Sequence, residues 1–101
     1  MIETQNGEVC IGALEVDVAG YRAMFEGRAL ELSRSGFELL VLLATNRNRV
    51  LSRRELSEAL GLARARSVDV LLTGLRHALG REFVRNVRGR GWIIEPALLE
   101  G

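Results

Sequence analysis

Lysine is absent from this chain, and cysteine, histidine, proline, tryptophan and tyrosine occur once each. A single cysteine, Cys10, excludes an intrachain disulfide framework and makes a reducing cytoplasm the expected setting. Cys10 reads as a small core filler. With one cysteine and one histidine, His77, there is no ligand set for structural zinc, so neither a metal nor another cofactor is expected. The longest apolar run, Leu39 to Ala44, is far too short to cross a bilayer. The opening residues Met1 to Asn6 are polar and lack the basic start and apolar stretch of a signal peptide, so no membrane partner is expected. Also missing are a Ser/His/Asp set, a phosphate loop of the Gly-x-x-x-x-Gly-Lys kind, and paired acids around a recognisable pocket. Enzymatic activity is therefore not expected.

What is present describes one ordinary folded domain. The 101 residues suffice for a single modest core, and 48% apolar with 27% charged residues excludes wholesale disorder. No internal repeat or low-complexity linker interrupts it. The formal net charge is +1, but its distribution is uneven. Residues 1–46 hold three arginines against seven acids, residues 47–90 hold eleven against four, and the remainder adds two acids. A basic block of that kind is the footprint expected of a phosphate-binding surface. The all-arginine usage suits bidentate phosphate and guanine contacts, and it equally suits the codon preference of a GC-rich genome.

Along the chain, Val9 to Leu32 reads as short strands. Leu14, Val16 and Val18 alternate with Glu15 and Asp17, the period of a half-buried strand. Ala19-Gly20 and Glu26-Gly27 are turn signals. The expected product is a small antiparallel sheet of three or four strands, acidic outside, which needs a partner layer. Ser33 is a good N-cap for a first helix carrying Phe37, Leu40, Val41 and Ala44, with Leu39, Leu42 and Leu43 widening the apolar face. Its capping box is incomplete, because Gly36 stands where Glu or Gln would reach back. Ser52-Arg53-Arg54-Glu55 is a complete capping box and opens a second helix, with Leu56, Ala59 and Leu60 expected to face inward and Gly61 to end it.

Only Leu62 to Ala65 separates that helix from a third over 66–79, the spacing of a helix-turn-helix. Val68, Leu71, Leu72, Leu75 and Leu79 form its apolar face; Val70, Thr73, Gly74 and His77 lie opposite. Gly80 stops it. Phe83, Val84 and Val87 then read as a strand with Arg85 exposed, Arg88-Gly89-Arg90-Gly91 as a turn, and Trp92-Ile93-Ile94 as the return. The expected boundaries are a tail over 1–8, one domain over 9–95, and a second tail over 96–101 beginning at Pro96. A half-buried helix beside a hairpin tipped with two arginines suits the gripping of a nucleic-acid duplex.

These elements and residues resemble the effector domain of OmpR/PhoB-type bacterial response regulators over Val9 to Ile94. The sheet contributes Gly12, Leu14, Val16, Asp17 and Gly27, followed by Leu30-Glu31-Leu32-Ser33 and Phe37-Glu38-Leu39-Leu40. The more specific blocks are Arg49-Val50-Leu51-Ser52-Arg53, Arg66-Ser67-Val68-Asp69-Val70, Leu75-Arg76-His77-Ala78-Leu79 and Val87-Arg88-Gly89-Arg90-Gly91-Trp92. Each block is weak alone; four in order are specific. The resemblance implies an α+β winged helix-turn-helix: an N-terminal antiparallel sheet, three helices and a C-terminal hairpin wing.

It further implies a transcriptional regulator that binds double-stranded DNA, with helix 66–79 in the major groove and wing 87–92 at the minor groove. Val70, Thr73 and Gly74 would lie nearest the bases. Arg66, Ser67, Arg76 and His77 would meet the backbone, and Arg88 would enter the minor groove with Arg90 beside it. Arg53 and Arg54 are further phosphate candidates, and Asp69 is expected to tie the helix start to an arginine. Family members bind direct repeats as tandem dimers and contact RNA polymerase through the loop between the second and third helices.

Three positions depart from the family. Leu71, Thr73 and Gly74 stand where basic or polar residues are usual, so weaker base readout and more dependence on phosphates and DNA shape are expected. Leu62 to Ala65 is shorter than the usual polymerase-contacting loop, and Trp92 replaces a tyrosine. The receiver domain is not among these 101 residues, which leaves an isolated effector domain or a regulator without phosphorylation control as alternatives. The rival functional reading is a winged helix that docks on protein and binds DNA weakly or not at all.

Overall fold

The alternation of Val9, Ile11, Leu14 and Val16 with polar neighbours produces an antiparallel sheet with one dry face. The computed structural model describes residues 4–5, 8–47, 49–61, 65–81 and 83–94, excluding the side chains of residues 4, 5 and 65–67. Strands β1 (Thr4–Gln5), β2 (Glu8–Ile11), β3 (Leu14–Asp17), β4 (Arg22–Phe25) and β5 (Arg28–Ala29) pair in sequence order. The sheet thus has five strands instead of three or four, and β1 lies in the segment expected to be a tail. Register places Val9 opposite Val16 and Val16 opposite Ala23, all buried. The same alternation sends Cys10 outward, opposite Glu15. Cys10 is therefore not a core filler: its neighbours Val9 and Ile11 have already taken the inner face. Burial, Glu8 and Glu15 together raise its thiol pKa, which disfavours the thiolate.

Helix α1 (Arg34–Thr45) covers the dry face and touches β2, the third helix and the last strand. Its N-cap is Ser33, whose Oγ accepts the Gly36 N–H at 3.1 Å. Gly36 is itself buried, and a Cβ there would lie 3.2 Å from that Oγ. Phe37, Leu39, Leu40, Leu43 and Ala44 are buried, as the width of the apolar face requires. Two ring pairs fasten the sheet to the rest of the molecule. Tyr21 stacks on Phe37 with centroids 5.1 Å apart, and Phe25 meets Phe83 edge-on at 5.2 Å.

Helix α2 (Arg53–Ala59) begins with both arms of the capping box made: Ser52 Oγ accepts the Glu55 N–H, and Glu55 accepts the Ser52 N–H. Leu56 is buried and Leu60 half-buried, but Ala59 is exposed and Ser57 takes the second inward position. With the inward stripe centred between Leu56 and Ser57, Leu60 falls close to it and Ala59 lies about 110° away round the helix. Gly61 follows at φ +69°. Helix α3 (Ala65–Leu79) buries Val68, Leu72, Leu75 and Leu79, while Leu71 is half-buried at the edge of the stripe. The hairpin of β6 (Val84–Val87) and β7 (Gly91–Ile94) closes the chain. Arg85 is half-buried in it, contrary to its expected exposure.

Candidate nucleic-acid interface

Helix α3 has two unlike sides because its apolar residues recur at helical spacing. Val70, Thr73, Gly74 and His77, at i, i+3, i+4 and i+7, form an exposed strip opposite the buried leucines. Val70 is 70% exposed, an uncommon placement for a valine. Thr73 Oγ1 donates back to Asp69 O at 2.9 Å, so its hydroxyl is turned toward the helix backbone. A Cβ at Gly74 would meet nothing within 4 Å, so this part of the strip is open. Arg66 and Ser67 belong to the first turn of α3 in backbone, but their side chains lie outside the described residues.

The wing is tied both to the segment before α2 and to α3. Leu51 and Trp92 exchange backbone hydrogen bonds of 2.8 Å in both directions, adding a one-residue bridge to the hairpin. Gly91 lies against that bridge: a Cβ would come 2.1 Å from Leu51 O, so only glycine permits the approach. Arg76 Nε donates to Val84 O at 3.1 Å, and its guanidinium carbon lies 5.2 Å from the Trp92 ring centroid. At the tip, the Arg90 N–H donates to Val87 O at 2.8 Å, and Gly89 has φ +76°, the conformation a type II turn demands at its third position. Arg88 and Arg90 flank that glycine, both exposed.

Helix α2 adds a second pair of arginines with different engagements. Arg53 Nε donates to Asp69 Oδ1 at 3.0 Å, joining the two helices of the helix-turn-helix. Asp69 thus ties α3 to an arginine, as the sequence suggests, and the arginine is Arg53. Arg54 Nε pairs with Glu58 at 3.2 Å within α2. Arg49 pairs with Glu55 at 3.0 Å. The Ser52 N–H and then Arg49 hold the Glu55 carboxyl below its ordinary pKa.

The strip residues Val70, Thr73, Gly74 and His77 and the wing arginines Arg88 and Arg90 are therefore all exposed on α3 and the wing attached to it. Arg76 stands apart, half-buried between α3 and the wing, with its Nε committed to the protein. Sequence reasoning missed Arg81, which shares a hollow of about 440 Å³ with Thr73, Arg76, His77 and Gly80. Its position directly after the helix-stopping Gly80, in line with the basic block, was the available signal. It also missed Asn86, which braces the hairpin through Nδ2 to Gly91 O at 3.1 Å. Among the described residues, no group of three or more His, Cys, Asp and Glu could hold a metal ion, and no helix is long and apolar enough to cross a membrane.

A meander sheet, three helices and a fastened hairpin define a winged helix-turn-helix. Comparison with known proteins identifies the kind. Residues 27–94 match the family described as "Transcriptional regulatory protein, C terminal". The response regulator protein PmrA of Pseudomonas aeruginosa is 36% identical over 91 residues, covering 85% of this chain and 41% of that protein. The DNA-binding domain of Escherichia coli CpxR superposes with a TM-score of 0.74 at 30% identity, over 86% of this chain and 94% of that one. The DNA-binding domain of Klebsiella pneumoniae RstA, in complex with the RstA box, gives 0.76 at 28% identity, over 88% and 97%. The chain belongs to the OmpR/PhoB-type winged-helix family of transcriptional regulatory domains. It spans about two fifths of the length of the relatives PmrA and PrrA that it matches.

Proposed function

We propose that this domain binds double-stranded DNA to control transcription, with α3 in the major groove and the wing tip at the adjacent minor groove. The observation that carries this reading is the fixed arrangement of an uncovered strip on α3 (Val70, Thr73, Gly74, His77) beside a wing tipped by Arg88 and Arg90. A helix of this width enters the major groove of B-form DNA, and arginines reach the narrow minor groove. The strip offers a valine, a threonine and a glycine to the bases, and lacks the fork that reads guanine. Affinity then rests on phosphates and DNA shape more than on base edges. Arg66 and Ser67 at the start of α3, and Arg53, Arg54 and His77, supply the phosphate side.

Membership in this family supports DNA over the protein-docking alternative. Tandem pairing on direct repeats and a polymerase contact between α2 and α3 accompany the reading as further proposals, together with a cytoplasmic site of action. The test is fluorescence anisotropy of a labelled mixed-sequence duplex across a salt series. Steep weakening with salt is expected, and Arg88→Ala should lower the slope by about one unit. A salt-independent complex, or none at low salt, would favour protein docking, and an unchanged slope for Arg88→Ala would remove the wing from the interface.

A further inference from the structure

Between the start of α2 and the wing lies a cleft of about 270 Å³ lined by Arg53, Asn86, Gly89, Arg90, Gly91 and Trp92. Two arginines from parts of the chain far apart in sequence meet there, and each is held by a different means. Arg53 is anchored from behind: its Nε is bonded to Asp69 at 3.0 Å, and both side chains are about half exposed. A guanidinium has five N–H donors, and the four on its terminal nitrogens are not those spent on Asp69. Arg90 is placed by the wing turn, whose backbone closes through the Arg90 N–H to Val87 O. The cleft floor is stiff, because Gly91 and Trp92 are locked to Leu51 and Asn86 is bonded across the hairpin. With Asp69 counted, two positive charges face one negative.

We propose that Arg53 and Arg90 bracket one and the same backbone phosphodiester in this cleft, and that Asp69 is the positioning residue that turns the Arg53 fork toward it. The inference rests on the DNA-binding reading and deepens it: it assigns these two arginines a single shared phosphate. A single anion between two guanidiniums is a favourable, charge-assisted arrangement, and the planar fork is needed on the Arg53 side because one edge of it is already spent. Arg54, which pairs with Glu58 along α2, does not line this cleft.

Sharing makes a prediction that separate contacts do not. Salt slope counts neutralised phosphates, at about 0.9 per phosphate on duplex DNA. If one phosphate is shared, Arg53→Ala and Arg90→Ala should each weaken binding about tenfold while barely moving the slope, since the other guanidinium still neutralises it. The double variant should lower the slope by about 0.9 and lose more affinity than the product of the two single losses, because only then is the phosphate left unneutralised. Arg53→Lys keeps the charge but not the fork, so its slope should match the wild type while its affinity stays reduced. The probe is a labelled mixed-sequence duplex, with thermal unfolding and Trp92 emission of the free variants as folding controls.

Slopes falling by about 0.9 in each single variant and about 1.8 in the double would assign two separate phosphates and overturn the proposal. Unmoved affinity in the double variant would take the cleft out of the interface, and full affinity in Arg53→Lys would overturn the oriented fork. Failure of the wild type itself to bind would instead sink the DNA-binding reading, so the two failures are told apart.

Discussion

Leu51 and Trp92 exchange two backbone hydrogen bonds, each 2.8 Å long, and so join the segment leading into α2 to the returning strand of the wing. The junction fixes the angle between the helix-turn-helix and the wing, and it passes over Gly91. Gly91→Ala places a Cβ 2.1 Å from Leu51 O at a φ of +149°, where neither the backbone nor the side chain can yield cheaply. A loss of about 2–3 kcal/mol in chemical unfolding is expected, with DNA affinity falling as the wing shifts. Unchanged stability would mean that the bridge is absent in solution.

The two sides of α3 should respond oppositely to the same substitution. Leu72 is 1% exposed at the centre of the core, so Leu72→Ala should cost about 2–5 kcal/mol by lost burial and the cavity left behind. Val70 lies two residues earlier, on the opposite side of the helix, and is 70% exposed, so Val70→Ala should change stability by less than about 0.5 kcal/mol. DNA binding should follow the reverse order once Leu72→Ala is measured below its unfolding temperature. Equal stability losses would mean that the rotation of α3 about its axis is misassigned.

Glu55 joins the capping box of α2 to Arg49, and its pKa is lowered from 4.5 chiefly by the Ser52 backbone N–H. A carboxylate whose folded pKa lies below its unfolded value contributes stability that is complete above the unfolded value. That contribution is lost as pH falls through the folded one. The difference in urea midpoint between wild type and Glu55→Gln should therefore be constant at neutral pH and shrink in acid, starting near 4.5. A difference that grows in acid would contradict the cap. Ser52→Ala, which removes the other arm, should cost about 1 kcal/mol at neutral pH.

Local features were legible before any coordinates. The strand phase of Leu14 and Val16, the Ser33 and Ser52 caps, the turn at Gly61 and the apolar stripe of α3 all depend on residues within four positions of one another. Features that join distant segments were not. Nothing in the sequence pairs Leu51 with Trp92, Arg53 with Asp69 or Arg76 with Val84 O. Three residues sit elsewhere than the sequence suggests, for separate reasons. Residue type points Cys10 to the core although strand phase puts Val9 and Ile11 inside, the inward stripe of α2 centres on Leu56 and Ser57 and leaves Ala59 out, and Arg85 is half-buried in the hairpin. On the proposed interface, the exposure of Val70 and Thr73 follows from helical phase, whereas the Arg53–Arg90 cleft depends on how the wing closes on α2.

Gly74 gives the sharpest view of how the strip on α3 would meet bases. It lies in mid-helix, where glycine costs about 1 kcal/mol relative to alanine, and no atom would lie within 4 Å of an added Cβ. Packing therefore does not explain the glycine, and a side chain there would extend outward between Val70 and His77. Gly74→Ala should stabilise the free domain by about 0.5–1 kcal/mol without altering DNA preference. Gly74→Arg should keep most of that gain and add a fork that pairs with O6 and N7 of guanine, worth about 1–3 kcal/mol of base discrimination. A selection from randomised duplexes should accordingly yield a guanine preference at one new position with Gly74→Arg and none with Gly74→Ala. Stabilisation by both variants with no change in preference for either would place this strip outside the groove, and contact with DNA would then have to run through the wing and the phosphates alone.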